Sequence, residues 1–155
     1  MTKYLKEITG AALLDSNVLV YAVNAKSDFH GEALQVYNQL ELGLFKGIVA
    51  HQNVLEATRV LTHGKYKETL SPSVALERMA PVLSLCRIVH PGYHSWRIVS
   101  ELITKYDLKS NMVFDAYLVA TMLTNDIHRV VTFNSTDFEL FSEEGIEVIV
   151  PTLRE

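Results

Sequence analysis

The stretch AALLDSNVLVYAV, residues 11–23, decides the fold because it joins two apolar segments through the polar residues 15–17. Ala11–Leu14 is a short, continuous apolar run, which is typical of a strand that is buried on both faces of a parallel sheet. Asp15 follows this run directly and precedes the second apolar segment. An ionised carboxylate in such surroundings is costly unless something pairs with it. We therefore expect Asp15 either to serve a site that needs negative charge or to cap the helix that follows.

The length and composition are those of one globular domain. The chain has 155 residues, of which 48% are hydrophobic and 21% are charged, and it contains no linker or repeat. We therefore predict a single domain over residues 1–155, with residues 1–10 as a polar N-terminal extension. The net charge of −4 argues against a broad basic surface for nucleic acid, although a bound metal reverses the charge at a local site.

The sequence predicts a cytoplasmic protein. No apolar run approaches the length of a membrane span, and the N-terminal residues do not build the apolar region of a signal peptide. The only cysteine, Cys86, has no partner for an internal disulfide, which fits a reducing compartment.

Short apolar runs alternate with helical patterns along the chain. The strand candidates are residues 11–14, 47–50, 87–89, 130–133 and 146–150, and the helix candidates are residues 30–45, 52–63, a segment starting at 71–73, and residues 96–106 and 112–124. This alternation predicts an α/β fold with a parallel sheet that is covered by helices on both faces. Such sheets collect their ligands at the carboxyl ends of the strands, where Asp15 stands.

Other acidic positions are expected to reach the same edge of the sheet. They are Glu56, Asp115 and Asp137, with the amide of Asn134 beside the last of them. Two carboxylates about 4 Å apart repel each other by on the order of 4 kcal/mol at an effective dielectric constant near 20. A set of oxygen ligands of this kind favours Mg²⁺ or Mn²⁺. A divalent ion there activates water for attack on a phosphodiester, so metal-dependent hydrolysis is the function that this pattern indicates.

Each of these residues also has a purely structural interpretation. Glu56 stands three residues before Arg59 and is in position for an ion pair on one helix face. Asp115 is suited to the N-terminus of its helix, where negative charge is stabilising. Asn134 and Asp137 lie in the turn-forming segment NSTDF, where either side chain is suited to capping.

Four segments in order carry a resemblance to a known family. LLDSNVLVYAV, NVLEATRVL, VFDAYLVATML and VVTFNSTDF strongly resemble the PIN-domain ribonucleases, in particular the VapC-type toxins of toxin–antitoxin pairs. The resemblance runs from about residue 11 to residue 151. It implies a three-layer α/β/α sandwich around a parallel sheet. It also implies that Asp15, Glu56 and Asp115 hold Mg²⁺ or Mn²⁺.

One position departs from the family pattern. Many relatives carry Thr-x-Asp where this chain has Thr132-x-Asn134, so an amide replaces the fourth acid. Asp137 is the candidate for the missing carboxylate. The resemblance makes Ser16, Asn17, Thr132 and Asn134 supporting residues, and the hydroxyls of Ser16 and Thr132 are expected to bond the carboxylates.

Contacts with substrate and partners are also expected. Arg59, Lys65 and Lys67 follow Glu56 and are candidates for contacts with RNA phosphates, although three basic residues also suit a solvated surface. The resemblance implies an RNA substrate, a small antitoxin that blocks the acidic site, a homodimer, and contact with operator DNA only through the antitoxin.

Three alternatives stay open at this point. The chain fits a free-standing PIN nuclease without an antitoxin. Because Asn134 replaces an acid, it also fits a catalytically weakened PIN-like module with a binding or regulatory role. A haloacid-dehalogenase-like phosphatase needs a second Asp two positions after the first, and Asn17 occupies that position.

Overall fold

Helices and strands alternate through most of the chain. The computed structural model describes residues 3–66 and 68–155. The strands are β1 (Tyr4–Leu5), β2 (Ala11–Leu14), β3 (Lys46–Ala50), β4 (Cys86–Val89), β5 (Arg129–Val131), β6 (Glu147–Ile149) and β7 (Leu153–Arg154). The helices are α1 (Ser16–Val23), α2 (His30–Glu41), α3 (His51–Leu61), α4 (Pro72–Ser84), α5 (Ser95–Lys105) and α6 (Met112–Thr124), followed by 3₁₀ segments at Ser135–Asp137 and Glu139–Glu144. Within these ranges, no helix has both the length and the apolar character needed to cross a membrane.

The central sheet is parallel, as the alternation predicts. Its strand order is β4-β3-β2-β5-β6, and every neighbouring pair runs in the same direction. Each of the five predicted strands is present, with ends that differ by no more than two residues from the expected ones. All five strands of this sheet therefore end at the same edge, and β2, which precedes Asp15, lies in the middle.

The two faces of the sheet are both buried, which makes the fold a three-layer α/β/α sandwich. Ala12 and Leu14 face one apolar core, which also contains residues of α1 to α4. Leu13 faces the opposite core, with residues of α6 and of the 3₁₀ segments. None of the three side chains is exposed to solvent. Because alternate residues of a strand point to opposite faces, a central strand with helices on both sides needs apolar residues throughout, as β2 has.

The N-terminal segment, predicted as a polar extension, packs against the domain. β1 pairs with β7 in an antiparallel two-stranded sheet, and Leu5 and Ile8 are buried. The side chain of Gln39 on α2 holds this segment, because its amide oxygen accepts a hydrogen bond from the Ile8 N–H at 2.8 Å. Two-residue strands are too short to show a periodic pattern, so the sequence gives no sign of this pairing.

Candidate active site

Asp15 lies at the carboxyl end of the central strand and is only 7% exposed. Its backbone N–H donates to the carbonyl of Val131 at 3.0 Å, which ties it to β5. One carboxylate oxygen accepts a hydrogen bond from the Ser16 N–H at 2.8 Å, and Asp15 is the N-cap of α1. The capping interpretation therefore accounts for one oxygen. The other oxygen, Oδ2, accepts a hydrogen bond from the Thr132 hydroxyl at 2.8 Å.

Thr132 joins the ends of the two central strands. Its hydroxyl donates to Asp15 and accepts from the Asn17 amide at 3.1 Å and from the Asn134 N–H at 3.0 Å. One donated and two accepted bonds use the full capacity of a hydroxyl group. The Asn17 amide oxygen in turn accepts from the Phe133 N–H at 3.2 Å. This network fixes the Asp15 carboxylate against the segment that follows β5.

Glu56 is held by a residue that the sequence analysis does not single out. The Gln52 amide nitrogen donates both to Glu56 Oε1 and to the Phe114 carbonyl, each at 3.0 Å. Gln52 thereby links α3 to the first turn of α6. The i,i+4 spacing of Gln52 and Glu56 is the one signal that points to this contact in the sequence. The alternative ion pair between Glu56 and Arg59 is not among the salt bridges of the described residues.

Asp115 lies in the first turn of α6 and is partly exposed. Burial, together with the negative charges of Asp137, Asp15 and Glu56, raises its pKa to about 7. A helix N-terminus stabilises negative charge, so at this position desolvation and repulsion outweigh the helix dipole. The carboxyl group is therefore protonated in part at neutral pH.

Neighbouring acidic residues act electrostatically on both Asp15 and Asp115. Burial raises the pKa of Asp15, the hydrogen bonds from Thr132 and Ser16 oppose this rise, and the charges of Glu56 and Asp137 add to it. Segments that are far apart in the chain thus place their carboxylates near enough to repel each other. This mutual repulsion is what the parallel sheet leads us to expect at the edge where its strands end.

The Asn134 side chain is hydrogen-bonded to Asp137. Its amide nitrogen donates to Asp137 Oδ2 at 2.6 Å, and its amide oxygen accepts from the Thr136 hydroxyl at 3.1 Å. Asn134 precedes the 3₁₀ segment without a side-chain capping bond. Burial raises the pKa of Asp137. The residue that replaces the fourth acid therefore orients the carboxylate three positions later.

The remaining predicted residues lie around this cluster. Ser16 contributes its backbone N–H, while its hydroxyl makes no hydrogen bond within the described ranges. Arg59 and Lys65 are exposed and form no ion pair in that part of the chain. Lys67 lies outside the described residues.

The donor set fits a hard divalent ion by its chemistry. Every group in it is an oxygen, and neighbouring carboxylates raise the pKa values of Asp15 and Asp115, an effect that a cation among them relieves. In residues 3–66 and 68–155, no three His, Cys, Asp or Glu side chains form a group compact enough to hold an ion. Mg²⁺ keeps several of its waters and takes only one or two carboxylates directly.

Removing the Asp115 charge is expected to stabilise the metal-free protein at high pH. The folded pKa of Asp115, about 7, lies above its ordinary value of 3.8, so the folded state keeps a proton that the unfolded state has lost. Stability therefore falls as pH rises between these values. Asp115→Asn is expected to gain on the order of 1 kcal/mol at pH 8, or about 2–4 °C in Tm, because water screens this half-exposed group.

Thermal unfolding in EDTA at pH 4 and pH 8 measures this difference. The gain is expected to disappear at pH 4, where the native carboxyl is already neutral. Asp107→Asn is the matched control, since Asp107 has a positive φ that asparagine tolerates and pairs only with the exposed Lys109. Equal Tm changes for the two variants at both pH values would contradict the assignment of repulsion to Asp115.

Comparisons with known proteins agree with this architecture. A family model described as PIN domain matches residues 12–143, whereas no curated protein matches the chain. Among solved structures, one match is VapBC2 from Rickettsia felis, crystallised with a promoter DNA fragment. It has a TM-score of 0.64 at 18% identity, and the match covers 90% of this chain and 98% of the VapBC2 chain. VapC20 from Mycobacterium tuberculosis, described as a Sarcin-Ricin loop cleaving toxin, has a TM-score of 0.62 at 17% identity, covering 88% and 96%.

A toxin–antitoxin complex from Klebsiella pneumoniae gives a similar result, with a TM-score of 0.61 at 23% identity, covering 91% of this chain and 98% of its own. At these identities the structural matches establish the fold. The family match covers most of the sequence, including Asp15, Glu56, Asp115 and Asp137, and it removes the phosphatase alternative. The chain belongs to the PIN-domain family.

Proposed function

We propose that this protein is a ribonuclease that hydrolyses RNA phosphodiester bonds with the help of Mg²⁺ or Mn²⁺. The observation that supports this proposal most directly is that neighbouring carboxylates raise the pKa values of both Asp15, at the edge where the sheet strands end, and Asp115. Membership of the PIN-domain family supports it independently. The free-standing nuclease and the catalytically weakened module remain alternatives to the full proposal.

In this proposal the acidic residues have distinct tasks. Asp15 and Asp115 would hold the divalent ion, and Glu56 and Asp137 would complete its surroundings. When bound, such an ion neutralises charge on the phosphodiester and makes an attacking water more acidic. Thr132 and the Ser16 N–H keep the Asp15 carboxylate in one orientation through the bonds described above.

Gln52 and Asn134 orient the other two carboxylates. Gln52 fixes Glu56 relative to the α6 N-terminus, and Asn134 fixes Asp137. A preorganised set of charges avoids reorganisation during the reaction, which is a major part of electrostatic catalysis. With Asp137 held in this way, the proposal retains four carboxylates in spite of the amide at position 134.

We further propose that the protein is the toxin of a toxin–antitoxin pair. The structures that it resembles include VapBC2 and a toxin–antitoxin complex, which supports a small antitoxin as its partner. In this proposal the antitoxin blocks the acidic site and carries any contact with operator DNA, and the toxin forms a homodimer.

Cleavage of a labelled RNA of mixed sequence tests the nuclease proposal. We expect products in Mn²⁺ or Mg²⁺, and none in EDTA. A phosphomonoester such as p-nitrophenyl phosphate is expected to remain intact under the same conditions. Cleavage that continues in EDTA would refute the metal dependence, and an RNA that stays intact with every divalent ion would favour the weakened module.

A further inference from the structure

We propose that residues 87–97 form a binding surface for single-stranded RNA, here called the aromatic surface. In this proposal Tyr93 and Trp96 stack on bases, and Arg87 and Arg97 contact phosphates. The inference rests on the proposed ribonuclease function and specifies its substrate class as unpaired RNA, because bases in a duplex are not free to stack on side chains.

The aromatic side chains of this surface are unusually open to solvent. Tyr93 is 97% exposed and Trp96 is 73% exposed, although tryptophan is highly buried on average. A flat, exposed ring is a stacking partner for any base, because every base has a π face. These two residues therefore suit a ligand that presents successive aromatic rings.

The backbone that carries these rings is anchored to α6. The Gly92 N–H donates to the Thr124 hydroxyl at 3.0 Å, and the Asn125 amide donates to the His90 carbonyl at 2.8 Å. Gly92 lies so close to Thr124 that an added Cβ would meet the threonine Cβ at 2.6 Å. A fixed backbone reduces the conformational entropy that the segment loses on binding.

The charge of this region is complementary to a polyanion. No acidic residue occurs from Arg78 to Ser100, in a chain whose net charge is −4. Arg87 and Arg97 are exposed and have no salt-bridge partner among the described residues. Exposed arginines and open aromatic rings in one acid-free stretch of chain are the kinds of group that bind single-stranded nucleic acid.

The aromatic surface adjoins the acidic site. The rings of His90 and His51 lie 6.2 Å apart between centroids, and His51 is the first residue of α3. The next residue, Gln52, binds both Glu56 and the Phe114 carbonyl. Phe114, which is 57% exposed, places another aromatic ring directly before Asp115. The His90 end of the aromatic surface therefore lies beside the helix that carries Glu56.

A symmetric dimer interface explains this composition less well. In a symmetric dimer the same patch faces itself, and the aromatic surface contains no acid that could pair with the two arginines. RNA supplies phosphates for the arginines and bases for the rings. The observations therefore favour RNA, and a protein interface becomes the competing outcome of the test.

The single tryptophan makes the test direct. Trp96 is the only tryptophan in the chain, so its fluorescence reports on this surface alone. We expect a single-stranded 12-nucleotide RNA, titrated in EDTA to prevent cleavage, to quench it. Inorganic polyphosphate, which has charge but no bases, is expected to leave it unquenched. Tyr93→Ala is expected to weaken RNA binding about tenfold, the size of one lost base stack.

Tyr4→Ala is the matched control, because Tyr4 is 56% exposed and lies on β1, in the separate two-stranded sheet. This variant is expected to bind RNA as the unchanged protein does. An absence of quenching, or a Tyr93→Ala affinity equal to that of Tyr4→Ala, would overturn the proposal. A blue shift that grows with protein concentration and is insensitive to RNA would assign the surface to a protein interface instead.

The same preparations separate this inference from the ribonuclease proposal. Cleavage in Mn²⁺ without quenching in EDTA would leave the nuclease function intact and refute the aromatic surface. Quenching by RNA without cleavage in any divalent ion would support the aromatic surface and refute the nuclease function.

Discussion

Asp115→Asn is expected to reduce RNA cleavage by on the order of a thousandfold. Loss of this carboxylate removes one of the two groups proposed to hold the divalent ion. A bound ion contributes several kcal/mol of transition-state stabilisation, and about 4 kcal/mol corresponds to a factor of about a thousand in rate. Single-turnover cleavage of a labelled RNA in Mn²⁺ measures the loss. The same variant is expected to be more stable than the unchanged protein at pH 8 in EDTA, so a folding defect would not account for the loss of cleavage.

Two comparisons make this result specific. Asp107→Asn removes a charge from the exposed turn after α5 and is expected to cleave RNA at the unchanged rate. Asp15→Asn is expected to lose cleavage to a similar extent as Asp115→Asn. Because the two carboxylates are proposed to hold one ion, the double variant is expected to lose little more than either single one. Cleavage by Asp115→Asn within tenfold of the unchanged rate would remove this residue from the active site.

The sequence predicts the central sheet well for a physical reason. A strand with helices on both faces has no polar side, so β2 and β3 appear in the sequence as short apolar runs. Such runs can be recognised as strands without knowing which strands they pair with. The position of Asp15 at the end of β2 follows from the same argument, since parallel strands end at one edge. β1 and β7 are different. Their pairing depends on contact between the two ends of the chain, and nothing local in either segment indicates it.

The contacts that orient the acids are the part that the sequence predicts least. Gln52 binds a backbone carbonyl 62 positions away in the chain. Because every residue has a backbone carbonyl, the residue type at that position does not indicate the contact. The sequence suggests that Asn134 takes the place of an acid. It does not indicate that this amide would hold Asp137 at 2.6 Å. Local spacing thus suggests the charged candidates, and tertiary contacts decide which neutral groups bind them.

Thr132 offers the most sensitive test of that support. Thr132→Val keeps the shape of the side chain but leaves the Asp15 carboxylate, the Asn17 amide and the Asn134 N–H without their shared partner. A hydrogen bond to a charged group contributes about 1.5–3 kcal/mol. We therefore expect a loss of about 2 kcal/mol, which corresponds to roughly 4–8 °C in Tm for a domain of this size. Thermal unfolding at pH 7 measures it.

Thr132→Ser and Thr121→Val separate the hydroxyl group from the packing. Serine keeps the hydroxyl and removes one buried methyl group, so its loss is expected to be nearer 1 kcal/mol. Thr121 is also buried, but its hydroxyl bonds only a carbonyl within α6, so the valine variant there is expected to change little.

The hydrogen bond from Thr132 lowers the pKa of Asp15. Without it this pKa rises, and the pH at which cleavage in Mn²⁺ becomes half-maximal is expected to rise in Thr132→Val and to stay unchanged in Thr132→Ser. An equal shift in both variants would mean that the hydroxyl does not control the charge of Asp15.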